Sequence, residues 1–193
     1  MSMDVRNLVY DRGGRQSSPA HDLHPKRVRA ADLAFLPLVE RLRQLRESRG
    51  HQVTIVFFSV AGGDGVSYVV NNLAVELEKH TGESVTVTTS SALALAEEQG
   101  SGYADGSPSD LLSSLRRKFP YVLIDCASLQ SSSDAILLGR MAECCVLVVG
   151  AGRTTRDQVR GAVATLLQNS VPILGYVLNK RTYSIPRAIY KWL

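Results

Sequence analysis

The chain has 193 residues, 45% of them hydrophobic and 21% charged, which is enough apolar material for one core and short of what two would need. Its longest apolar stretches, such as Cys144 to Val149, fall far below the ~18 residues of a membrane span, and the N-terminus has no apolar signal core, so the sequence predicts a cytoplasmic protein. The net charge of +4 divides into +4 over residues 1–50, −4 over residues 51–179 and +4 over residues 180–193; a faintly acidic body argues against nucleic acid as a partner, and basic ends suit an anionic surface or partner.

Residues 1–36 read as a basic leader. From Arg12 to Ala31 the sequence is rich in Gly, Ser, Pro, His and basic residues without apolar periodicity, which predicts flexible chain. His21 and His24 fall in this stretch, where an i, i+3 pair is expected to be solvated rather than metal-bound. Pro37 suits the first turn of a helix over 37–49. Leu38, Leu42 and Leu45 form its apolar stripe, and Glu40, Arg43 and Arg46 form a polar ridge, which by itself reads as a solvated face.

Beyond Gly50, strands and helices alternate. Val53 to Val60 is an almost continuous β-branched and aromatic run, as a strand buried on both faces requires. A helix containing Val69, Val70, Leu73, Ala74 and Leu77 follows and ends near His80 to Gly82, before a strand at Val85–Thr89. A polar, Gly/Ser-rich connection leads to a helix at Ser109–Lys118 and a strand at Tyr121–Asp125. Helix Asp134–Met141, strand Cys144–Gly150, helix Thr155–Asn169 and strand Ile173–Asn179 complete the series. Repeated βα units predict an α/β fold with an open, mainly parallel sheet covered by helices on both faces. Residues 37–193 are expected to form a single domain. Cys126, Cys144 and Cys145 all fall in apolar runs without metal-ligand spacing and read as small core residues.

In such sheets ligands bind beyond the carboxyl ends of the strands. The first of these loops, Ser59-Val60-Ala61-Gly62-Gly63-Asp64-Gly65-Val66-Ser67, joins a buried strand to a helix. Its glycines allow backbone N–H groups to turn toward an anion, and the helix adds its positive end. A phosphate-binding loop has Lys after its last glycine, where the ammonium offsets phosphate charge; here that residue is Val66. The loop alone fits a tight strand-to-helix turn equally well. Asp125, ending an apolar strand, stands where such enzymes hold Mg²⁺, or else caps the next turn.

Taken with Ser133 to Leu138, Ala142-Glu143, Val146 to Val159 and Leu174 to Lys180, these loops make residues 38–193 resemble the cytoplasmic domain of bacterial tyrosine autokinases, P-loop proteins related to MinD and ParA. The resemblance implies a P-loop NTPase-like fold and a place in exopolysaccharide or capsule biosynthesis. It implies that Gly62, Gly63, Gly65, Ser67 and Asn179 contact a nucleotide, with Asn179 at the adenine edge. Ser67 and Asp125 would then be the ligands of Mg²⁺ bound with ATP or ADP. It also makes Glu40-x-x-Arg43-x-x-Arg46 a subunit-contact motif. The partner it implies is a polysaccharide-export membrane protein or a second copy of the chain; the charge pattern separately predicts that the basic ends meet an anionic surface or an acidic partner at the inner membrane.

The departures bear on activity. Where the resemblance implies a phosphate-binding Lys stands Val66, and where it implies two further acidic residues stand Thr89 and Ser91. Its C-terminal tyrosine cluster is reduced to Tyr183 and Tyr190. Losing the Lys and two carboxylates removes charge compensation and metal positioning, each typically worth several kcal/mol in phosphoryl transfer. The sequence therefore predicts a regulatory or scaffolding relative with impaired catalysis. The alternative is an active ATPase or kinase with an unusual loop, whose missing charge comes from elsewhere; Lys180 and Arg153 are candidates by loop position.

Overall fold

A computed structural model of the chain describes residues 30–98, 108–126, 128–129 and 134–180. The leader as far as residue 29, with His21 and His24, Ser133, and the segment 181–193 with Tyr183 and Tyr190 lie outside the described residues. Eleven elements follow in order: α1 (Ala30–Arg49), β1 (Val53–Ser59), α2 (Val66–Thr81), β2 (Val85–Thr89), α3 (Ser90–Glu98), α4 (Pro108–Lys118), β3 (Tyr121–Asp125), α5 (Asp134–Met141), β4 (Cys144–Gly150), α6 (Arg156–Gln168) and β5 (Ile173–Asn179). The strands form one open, parallel five-stranded sheet in the order β2-β3-β1-β4-β5. Strand order reverses at β1, with β2 and β3 to one side and β4 and β5 to the other, so the loop after β1 lies at the switch point where α/β sheets take ligands.

The chain divides into two compact units. The first comprises Met1–Val53 and Asn71–Leu123. Its core includes Leu42 of α1, Leu73 and Leu77 of α2, Leu93 of α3, Leu112 of α4, and Tyr121 and Leu123 of β3, all essentially inaccessible to solvent. The second comprises Thr54–Val70 and Ile124–Leu193, and its core is built on Ile55, Phe57 and Phe58 of β1 with Val146 and Leu147 of β4. Every residue of β1 is buried, as its unbroken apolar run requires. β1 pairs with β4 from Ile55↔Cys144 to Ser59↔Val148. β4 pairs with β5 from Cys145↔Ile173 to Gly150↔Asn179, with a register shift between Cys145 and Val146. All three cysteines are buried and none forms a disulfide, and burial pushes the Cys145 thiol up to about 12.

Two helices depart from the sequence expectation by more than a residue at their ends. α1 begins at Ala30, so Pro37 lies inside it rather than in its first turn; Ala30, Ala31, Leu33 and Ala34 are strong helix formers that extend the helix upstream. The stretch after β2, expected as a polar connection, begins with helix α3. The Thr89 hydroxyl accepts the N–H of Ala92 at 3.1 Å, an N-cap bond that starts a helix in the Ala- and Leu-rich run. α6 starts at Arg156 behind the N-cap Thr155, which exchanges hydrogen bonds with Gln158 in a capping box. No described helix is long and apolar enough to cross a membrane.

Candidate functional site: the loop after β1

The loop between β1 and α2 is braced from within and from two neighbouring loops. Gly63 and Gly65 have φ of +82° and +89°, a region that L side chains rarely adopt. Between them Asp64 turns inward and is 1% exposed. Its carboxylate accepts the Ala61 N–H at 3.3 Å and the Thr154 hydroxyl at 3.0 Å to each oxygen. A Cβ at Gly150 would collide with Asp64 Oδ1, so the end of β4 has glycine where the carboxylate needs the room. Asp64 thereby ties the loop after β1 to the loop after β4. Sequence reasoning missed it, because its partner Thr154 lies ninety residues away.

Asn179, at the end of β5, holds the loop from the other side. Its Nδ2 donates to the Asp64 carbonyl at 2.8 Å and the Gly65 carbonyl at 3.4 Å. A Cβ on Gly65 would lie 2.5 Å from that nitrogen, which gives this glycine a second requirement beyond its φ. Lys180 Nζ donates to the Gly63 carbonyl at 2.5 Å, and Arg153 Nη1 stands 3.5 Å from the same oxygen. Thus Gly63, Gly65 and Asn179, distant in sequence, meet in one place, and so do both candidate replacement cations. Gly62 is exposed, with open space where a Cβ would point.

Val66, the first residue of α2, is 7% exposed and belongs to the core. Ser67 is exposed and hydrogen-bonded to Asp125. Burial raises the Asp125 pKa above its usual value, and the Ser67 bond partly opposes that rise. One hydroxyl and one carboxylate side by side suit Mg²⁺, which takes few protein oxygens and fills its shell with water and substrate phosphates. No group of three or more His, Cys, Asp or Glu among the described residues could hold a metal by itself.

The ridge on α1 splits in two. Arg43 is paired along its own helix, with Glu40 at 2.8 Å and with Glu47. Hydrogen bonds from Arg43 and Gln44 hold the Glu40 carboxyl at about 2. Arg46 instead turns toward its own unit, 2.5 Å from Glu83 and with its guanidinium 5.5 Å from the Tyr121 ring centroid. It clamps α1 to the residues opening β2 and β3.

No protein-family profile matches the chain. The tyrosine-protein kinase CpsD of Streptococcus pneumoniae is 28% identical over 78 residues, covering 40% of this chain and only 34% of CpsD. Among solved structures, the VpsO kinase domain superposes with a TM-score of 0.64 at 19% identity, covering 79% of this chain and 95% of that one. The kinase domain of the Escherichia coli tyrosine kinase ETK gives 0.56 at 20% identity, covering 84% and 87%. In fold, and in sequence over part of its length, the chain is thus similar to the kinase domains of bacterial tyrosine kinases.

Proposed function

We propose that the chain is a tyrosine-kinase-like P-loop protein that acts as a regulatory or scaffolding partner in bacterial exopolysaccharide or capsule biosynthesis and does not transfer phosphate. The observation that carries this reading is Val66: the residue after the loop's last glycine is an apolar side chain sunk in the core. No cation projects from the place where phosphoryl transfer needs one. The second support is Thr89, whose hydroxyl caps α3 where a family carboxylate would handle metal.

The remaining parts suit weak nucleotide binding. Gly62, Gly63 and Gly65 supply backbone, Asn179 supports the loop, and Ser67 with Asp125 are the oxygens for Mg²⁺ bound with ATP or ADP. The contact surface of this reading is α1, through Glu40 and Arg43, with Arg46 anchoring the helix beneath them. Its partners are a second copy of the chain or a polysaccharide-export membrane protein, met from the cytoplasmic side at the periphery of the inner membrane.

The test is turnover. Purified full-length chain with Mg·ATP is expected to release no phosphate above background and to acquire no phosphotyrosine, and measurable hydrolysis or tyrosine phosphorylation would overturn the reading.

A further inference from the structure

Two cations stand on the loop after β1 and neither comes from the loop itself. Lys180 Nζ lies 2.5 Å from the Gly63 carbonyl, and Arg153 Nη1 lies 3.5 Å from the same oxygen. A Cβ at Gly63 would meet both terminal nitrogens of Arg153, at 3.5 and 3.6 Å, so the guanidinium covers that face of the glycine. Both side chains are exposed, and among the described residues neither is paired with a carboxylate. The loop's one acid, Asp64, is buried and committed to Thr154 and Ala61. Two full positive charges thus share one neutral acceptor, an arrangement that repels itself until an anion joins it.

The backbone beside them is short of acceptors. Among the described residues, the N–H groups of Gly62, Gly63 and Gly65 make no hydrogen bond, while the carbonyls of Gly63, Asp64 and Gly65 are all taken. Consecutive unpaired N–H groups around left-handed glycines form a concavity for anions. Lys180 itself is held at φ +57°, a conformation unfavourable for a residue with a Cβ, and reaches back to the loop from there.

We propose that Arg153 and Lys180, together with the N–H groups of Gly62, Gly63 and Gly65, form a binding site for a diphosphate group, replacing from two other loops the charge that Val66 does not supply. The inference rests on the P-loop reading above and adds to it the residues that carry the charge. Guanidinium and ammonium both form charge-assisted hydrogen bonds with phosphate oxygens. Because the charge comes from side chains, binding does not depend on Mg²⁺.

Calorimetric titration of the full chain without Mg²⁺, using ADP, inorganic pyrophosphate and adenosine as probes, tests the site. ADP, alone or together with pyrophosphate, is expected to bind, and adenosine is not. Arg153→Ala and Lys180→Ala should each weaken diphosphate binding about tenfold, the scale of one lost hydrogen bond to a charged group. Arg153→Lys and Lys180→Arg should recover most of it, and all four variants should melt as the wild type does. Adenosine binding as well as ADP, alanine variants binding as tightly as the wild type, or no binding of either diphosphate would each overturn the site. The last two results leave the non-catalytic reading intact. Turnover accompanied by binding that depends on Arg153 and Lys180 would overturn that reading and keep the site.

Discussion

The Asp125 carboxyl ends β3 half-buried, with the Ser67 hydroxyl as its hydrogen-bond partner, and burial raises its pKa. A carboxyl that is harder to ionise in the folded state than in the unfolded chain makes stability fall as pH rises. Below the ordinary range, about 3.9, both states are protonated and there is no penalty; the penalty grows as pH climbs from there through the raised folded pKa, and is constant above it. Asp125→Asn keeps an acceptor for Ser67 and removes the charge. It should therefore gain stability relative to the wild type as pH rises from about 3 to about 7, read as the difference in urea midpoint at each pH. A constant difference would show that Asp125 ionises without cost. Val66→Lys is the complementary change. It should tighten ADP binding several-fold while turnover stays at background, since Thr89 and Ser91 bring no carboxylate, and it should lower thermal stability because an ammonium replaces a buried side chain. Turnover in that single variant would show that the lost carboxylates were dispensable. Residue identity made Val66 and Asp125 legible in the sequence. Asp64 was not, because its role depends on Thr154 and on the room left at Gly150, which only the folded chain brings together.

At the scale of elements, strands were the most legible part. The bounds of β2, β3, β4 and β5 match the apolar runs that predict them, because a strand in a parallel sheet is marked by an apolar run closed by a loop residue. Helix starts were less legible. Pro37 is a start signal only if nothing upstream is helical, and Thr89 became a cap only once β2 ended there. On α1, periodicity put Arg43 and Arg46 on one ridge, whereas packing separates them. Arg46 and Glu83 each keep about a third of their side chains exposed, and Arg46 Nε and Glu83 Oε2 are buried without a partner. Arg46→Ala removes the ion pair and the contact with Tyr121 and leaves Glu83 unpaired, so it should cost about 1–3 kcal/mol in chemical denaturation. Arg43→Ala should leave the midpoint unchanged, because its partners are exposed and water replaces it. Equal losses in the two variants would mean that Arg46 is no clamp. Reversal of charge in Arg43→Glu addresses assembly instead: if α1 is the contact surface, the variant should sediment at lower mass than the wild type, and equal masses would remove Glu40 and Arg43 from the interface.

Across the whole molecule, charge is arranged by region, with +4 on residues 1–50, −4 on residues 51–179 and +4 on residues 180–193. A body of this sign gives no steering toward polyanions, so attraction to an anionic surface has to come from the ends. The C-terminal fourteen residues carry Lys180, Arg181, Arg187 and Lys191 among Tyr183, Ile185, Ile189, Tyr190, Trp192 and Leu193. That mixture of basic and apolar side chains is what an interfacial segment needs. Basic residues near anionic lipid contribute about 1 kcal/mol each, and the contribution fades within a Debye length, about 10 Å at 0.1 M salt. The chain is therefore expected to co-sediment with anionic vesicles at low salt, to be released at high salt, and to ignore neutral vesicles. Deleting residues 181–193 should reduce recovery on anionic vesicles while leaving the melting temperature and the binding of ADP unchanged, because Asn179 still holds the loop after β1 and Lys180 still supplies its charge. Equal recovery on anionic and neutral vesicles would leave a protein partner, or a tail packed back on the domain, as the role of the basic ends, and loss of ADP binding on truncation would show that the last thirteen residues serve the loop rather than a surface.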